Sequence, residues 1–332
     1  TLHTRLGGIV EGPGLLGADS KGHVESDFVG MSNDLTGHFR LRHAYIELDW
    51  GDTQFLIGKY WHPMFTVQCY PNVISWGGGI PINPLSRNPQ VRLTRQFNGL
   101  TASITAMSQR DFANDGPQGK TSKYLRNSSL PEFQFQMVFN EGSDLTLGGT
   151  AGIKTMVPRT ETEAGYKTDE KLVSYNTNLF LRYNGHNSTL KLMGLYGQNM
   201  SNLLLPGGYV VSEISDPEKD YRKYANTNTG SLWIDYEFNG PAWGAGVFAG
   251  ITQNYGAGET VDAPDSFMGM AGNIDHITRV APRFFFQKRK TKVALELNNT
   301  WAGYGDVNDQ MEVENIETTS NTRILLSVFR YF

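Results

Sequence analysis

The sequence is poor in the features that most protein classes depend on. One cysteine, Cys69, stands among 332 residues, so no internal disulfide can form. No apolar run approaches the roughly 18 residues of a membrane-spanning helix. The net charge is −4 and no basic run occurs, which leaves nucleic acid no electrostatic footing. No basic-plus-apolar leader opens the chain. Gly77-Gly78-Gly79 lacks the Gly-Lys-Ser/Thr of a phosphate loop, and no Gly-x-Ser-x-Gly element appears. His62 and Cys69 share a loop without further zinc ligands, and the Asp306–Glu312 cluster lacks the full calcium-loop pattern. No enzyme, cofactor or metal site is expected.

What the sequence does carry is alternation. In 132–139, Phe133, Phe135, Met137 and Phe139 oppose Glu132, Gln134 and Gln136. In 173–183, Val173, Tyr175, Leu179, Leu181 and Tyr183 oppose Ser174, Asn176, Asn178 and Arg182. Similar phasing returns in 100–107 and 228–238. Period-two alternation of this kind makes strands with one greasy and one wettable face. Tight turns at Gly51-Asp52, Asn98-Gly99, Glu141-Gly142, Gly185-His186, Asn239-Gly240 and Arg289-Lys290 separate long polar loops at 62–88, 113–129, 157–170, 201–226, 256–273 and 305–318. Short turns on one rim and long loops on the other predict a transmembrane antiparallel β-barrel, one domain over residues 1–332.

The alternative is a soluble barrel or sandwich with the apolar phase inward. The rings decide between them. Phe97, Phe139, Tyr183, Phe238, Trp243 and Phe286 lie on the apolar phase beside the tight turns, where an interfacial aromatic girdle belongs. Two segments break the pattern. Arg40 and Arg42 share parity with Ile46 and Leu48, which predicts a bulge near His43. Pro282 inside 276–287 predicts a local irregularity. About fifteen strands are countable, and barrels of this class have even numbers, so sixteen are expected in the native protein with the first strand missing from this chain.

A resemblance follows from particular residues. Arg40-Leu41-Arg42-His43-Ala44-Tyr45-Ile46-Glu47-Leu48-Asp49-Trp50, the Gly-Asp turn, and Phe55-Leu56-Ile57-Gly58-Lys59-Tyr60-Trp61-His62-Pro63-Met64-Phe65 resemble the early hairpin of DcaP-like outer-membrane porins. Ser86–Thr94 and Ser108–Phe112 are similar to relatives in Bacteroidota. The likeness covers roughly residues 1–115. It implies a sixteen-stranded homotrimeric diffusion channel in the outer membrane of a Gram-negative bacterium. The implied partners are the lipid bilayer and small anionic or neutral solutes such as dicarboxylates.

In a channel, charges on the wet phase set solute preference. The candidate pore-lining residues are Arg5, Arg92, Lys154, Arg182, Lys191, Arg279, Arg283 and Arg323, with Glu132, Asp235 and Glu296 opposing them. Arg279, Arg283, Arg323 and Arg5 are expected to form a basic wall; the competing expectation pairs each arginine with a lumen carboxylate. Loop 62–88 is the candidate constriction, with His62, Tyr70, Trp76 and Arg87 as its lining residues and no Asp or Glu. Two other readings stay open. One is a binding or adhesion barrel with a blocked lumen, using Leu203–Leu205 and Phe267–Met270 as contacts. The other is a barrel hydrolase, which would need Ser174 or Ser231 to meet a histidine.

Overall fold

The computed structural model describes residues 4–30, 35, 37–75 and 77–331. Its strands are β1 (Arg5–Leu15), β2 (Ala18–Asp27), β3 (Arg40–Asp49), β4 (Thr53–Trp61), β5 (Arg87–Phe97), β6 (Leu100–Met107), β7 (Glu132–Phe139), β8 (Leu145–Met156), β9 (Leu172–Asn184), β10 (Ser188–Gln198), β11 (Gly207–Asp216), β12 (Tyr221–Asn226), β13 (Asn228–Asn239), β14 (Trp243–Asn254), β15 (Ala263–Met270), β16 (Ile274–Lys288), β17 (Thr291–Val307) and β18 (Val313–Arg330). Fifteen of them form one sheet in chain order, skipping β11, β12 and β15, and every neighbouring pair is antiparallel.

Burial settles which phase faces out. In β7 the residues alternate buried and exposed, and the buried ones are Glu132, Gln134, Gln136 and Val138. Phe133, Phe135, Met137 and Phe139 are the exposed ones. The inversion recurs in β9 and β13, where Ser174, Asn178, Ser231 and Asp235 are buried while Leu179, Leu232 and Ile234 are exposed. A soluble fold leaves no such contiguous apolar surface to water. An apolar band around a polar interior is the arrangement a bilayer stabilises. The expected girdle rings are there: Phe97, Phe139, Tyr183, Phe238 and Trp243 are exposed beside the short turns, and Trp243 meets Phe286 at 4.6 Å.

The bulge predicted near His43 is present. His43 pairs with Glu25 and Leu41 with Ser26, which leaves Arg42 as the extra residue. Pro282 interrupts pairing to β17 between Val280–Asn299 and Arg283–Glu296 without changing the register. Among the described residues β1 and β18 pair on one side only. Both run toward the short-turn rim.

Four loop assignments need correction. Segments 201–226 and 256–273 are not irregular: β12, β11 and β15 within them form a separate three-stranded sheet. The expected loop 305–318 shrinks to 308–312, because β17 and β18 extend past the barrel wall as a long hairpin. Loop 113–129 contains a helical turn, α1 (Lys123–Asn127). Propensity is weak in these stretches, and packing over the long-loop rim supplies what the local sequence does not. Tyr209 and Val210 of β11 are buried in two clusters, one with Tyr124 and Met156, the other with Val261 and Met311.

Candidate functional site: a loop folded across the lumen

The segment joining β4 to β5 is residues 62–86. It does not cover the mouth. It turns inward and runs along the inner wall, whose residues carry the charges and amides that hold it. Its path can be followed by its backbone. Gln136 donates to the carbonyl of Pro63 at 3.1 Å, and Asn178 to that of Met64 at 3.3 Å. Arg182 donates to Gln68 O at 3.2 Å, and Lys191 to Tyr70 O at 2.9 Å and Asn72 Oδ1 at 2.7 Å. The Ile74 amide donates to Glu296 at 2.6 Å. Arg279 donates to Ile80 O at 2.6 Å, Thr252 to Pro81 O at 3.0 Å, and Ser231 to Ile82 O at 2.7 Å. The loop therefore lies along the wall from β7 to β17.

Apolar contacts reinforce the polar ones. Cys69 and Ile82 of the loop are fully buried against Val138, Phe180, Met193, Trp233, Phe248 and Ala281. Phe180 and Trp233 sit on the wet phase of their strands, where a water-filled lumen has no use for them. They mark where the loop seats. The ring stack Trp61–Phe65–Tyr70, with centroid separations of 4.1 and 5.6 Å, stiffens the first part of the loop.

This arrangement changes the meaning of most candidate pore-lining residues. Arg283 is fully buried and carries bidentate bonds of 2.9 Å to Asp235 plus a 2.9 Å bond to Glu237. It is not part of an open basic wall. Its partner is also not Glu296, which the loop occupies. Lys154 is buried and donates to Asn114 Oδ1, Asn199 O and Asn202 Oδ1, each at 2.9 Å, tying two outer loops together. Glu132 is buried against His62 at 2.8 Å. Asp235, Glu296 and Lys191 are likewise covered. These groups lie on the predicted face, but they anchor loops rather than meet solute.

The residues expected to line a constriction separate in the same way. His62 is buried, with Nδ1 accepting the Met64 amide at 3.1 Å and Nε2 facing Glu132, so it is held at the start of the loop and closed to solute. Arg87 begins β5 and is buried, its guanidinium 5.0 Å from the Trp61 ring and 5.4 Å from that of Phe112. Tyr70 stays 43% exposed and can meet solute. Trp76 lies outside the described residues. Arg5, Arg92, Arg279 and Arg323 have no carboxylate within ion-pair distance among the described residues, and Arg5 and Arg323 are exposed.

Cys69 makes the seating of the loop measurable. Its thiol donates weakly to Leu181 O and Leu192 O at 3.4 and 3.6 Å. Burial pushes the thiol up to about 12. Because the raised group stays protonated through the neutral and mildly alkaline range, the folded protein in detergent is expected to resist an alkylating thiol reagent at pH 8.5. The unfolded protein should react to completion. Rapid labelling of the folded form would show that the loop is not seated.

The fold is that of the porin-type β-barrels. No protein-family model matches this sequence, and no curated protein sequence matches it. Solved structures do. The outer-membrane channel DcaP of Acinetobacter baumannii superposes with a TM-score of 0.77 at 14% identity, over 99% of this chain and 85% of that one. The anion-selective porin from Comamonas acidovorans gives 0.59 at 10% identity, over 99% and 90%. OmpT of Vibrio cholerae, in a trimer form, gives 0.57 at 10% identity, over 99% and 91%. Identities this low speak for shared architecture.

Proposed function

We propose that the chain is a DcaP-like porin of a Gram-negative outer membrane, a passive channel for small hydrophilic solutes that acts as a homotrimer and favours anions such as dicarboxylates. The observation that carries this is the inward loop. A barrel whose wall charges hold a segment inside the lumen narrows the passage without filling it, and the polar phase keeps that passage wet. The anion preference rests on accounting for charge. Arg283, Lys154 and Lys191 are spent on internal partners, while Arg5, Arg92, Arg279 and Arg323 have no carboxylate beside them. Cations left unpaired near a low-dielectric constriction focus field and raise the local concentration of anions.

The other readings draw less support. Ser174 Oγ donates to Asn226 and Ser231 Oγ to Ile82 O, so neither serine is set against a histidine as nucleophilic catalysis requires. Leu203 and Leu205 are buried with Met64 and Met200, and Phe267 packs against the cap cluster, so the apolar contacts of a binding barrel are turned inward.

Planar-bilayer recording tests the proposal. In a salt gradient the wild-type channel is expected to conduct with an anion-favouring reversal potential. The double variant Arg5→Glu with Arg323→Glu should lower the anion-to-cation permeability ratio about threefold or more. A protein that never conducts refutes the porin reading. A channel whose selectivity is unmoved refutes the role given to these two arginines.

A further inference from the structure

The inward loop leaves a second space on its short-turn side. It is a cavity of about 230 Å³ between Val67–Gln68 and the inner wall of β3 to β7. Its lining contrasts with the apolar seat on the far wall. Gln54, Gln96, Gln136, Thr94 and Ser103 supply donors and acceptors together, and only three lining residues are aliphatic. A surface of this kind binds groups that both give and take hydrogen bonds.

The charges in it are of both signs. Glu47 pairs across strands with Leu56, and Leu56 with Arg92, so Glu47 and Arg92 stand in one row two strands apart. That places their backbones roughly 10 Å apart, and both side chains reach inward. Arg92 spends Nε on Gln90 at 3.1 Å and Nη2 on the Trp61 carbonyl at 2.8 Å, and its guanidinium lies 5.2 Å from the Tyr60 ring centroid. No described carboxylate takes its charge. Glu47 meets Lys21 at 3.0 Å, but that lysine is 47% exposed, and such surface pairs contribute little. Glu141, at the end of the cavity nearest the turns, accepts only the Gln68 amide at 2.8 Å.

A simple anion entering this space meets one favourable charge and two opposing ones. A simple cation meets the reverse conflict at Arg92. A solute that carries both signs has no conflict. We infer that the cavity is a transient subsite for zwitterionic solutes of amino-acid size, the carboxylate turned to Arg92 and the ammonium to Glu47 and Glu141. The volume is that of roughly eight water molecules, which suits a single amino acid. The subsite rests on the porin reading and sharpens it.

Liposome swelling separates the two claims. Purified protein is reconstituted, and initial rates are compared for L-glutamine, succinate and the neutral sugar D-arabinose, which is close to glutamine in mass. The expected result is faster entry of glutamine than arabinose. Arg92→Gln should reduce the glutamine-to-arabinose ratio about threefold, the loss of one charge-assisted contact, while Arg92→Lys keeps most of it. Glu141→Gln should lower the glutamine-to-succinate ratio. Equal rates for glutamine and arabinose in the wild type, or an Arg92→Gln ratio equal to wild type, would overturn the subsite and leave the porin reading standing. Entry of none of the three solutes would overturn both.

Discussion

Replacing Arg283 by alanine is expected to cost about 3–5 kcal/mol, because it strands two buried carboxylates without their cation. Arg283 is fully buried, Asp235 and Glu237 are nearly so, and three hydrogen bonds of 2.9 Å join them. The fall should appear as a lower unfolding temperature in detergent, read by the heat-dependent shift in electrophoretic mobility or by circular dichroism. The design carries its own control. Replacing all three by apolar residues of similar volume (Arg283→Met, Asp235→Leu, Glu237→Leu) should recover most of the loss, since a buried ion triad is itself expensive to dehydrate. Should the single variant melt with the wild type, the triad would be a hydrated pair in solution and these residues would return to the list of solute-facing charges.

Excising the loop should have the largest effect on transport. A variant in which residues 66–80 are replaced by a short Gly-Ser linker is expected to raise single-channel conductance about twofold or more and to lose most ion preference, since the segment proposed to narrow the lumen is gone. The barrel should survive, because its strand pairing does not run through this segment. Some stability will be lost as Phe180, Trp233 and Phe248 gain contact with water, at about 25 cal/mol per Å² of apolar surface. Unchanged conductance in a folded variant would mean that another element, such as the β12–β11–β15 cap, limits flow.

Much of the fold was legible because alternation and turn chemistry are local signals. The phase of Phe133 to Phe139 told which face meets lipid, and the parity clash between Arg40, Arg42 and Ile46 located the bulge before any coordinates. The cap strands were hidden because β12 is only six residues long and β15 shows no clean alternation in burial. The roles of the inner charges were hidden for a different reason. Parity assigns a residue to the wet face but says nothing of what covers it. Parity puts Arg283, Lys154 and Glu132 on the inward face, and only their burial shows that they hold loops and partners there. The sequence does carry one signal of it: Phe180 on the same face as Asn176 and Asn178, and Trp233 between Ser231 and Asp235, are greasy groups where an open aqueous lumen would reject them. Such an intrusion marks the seat of an inserted segment.

The reach of that segment has a bearing on assembly. The Ile74 amide finds its acceptor on Glu296, and the two are 222 positions apart. Contacts that distant in sequence form late, after the intervening chain has been brought to order. Bonds to Gln136, Asn178, Arg182 and Lys191 can form as the earlier strands arrive, and the bond to Glu296 completes the seat only when β17 is in place. The middle of the loop, at Ile74, is therefore the last part of the strap to be fixed.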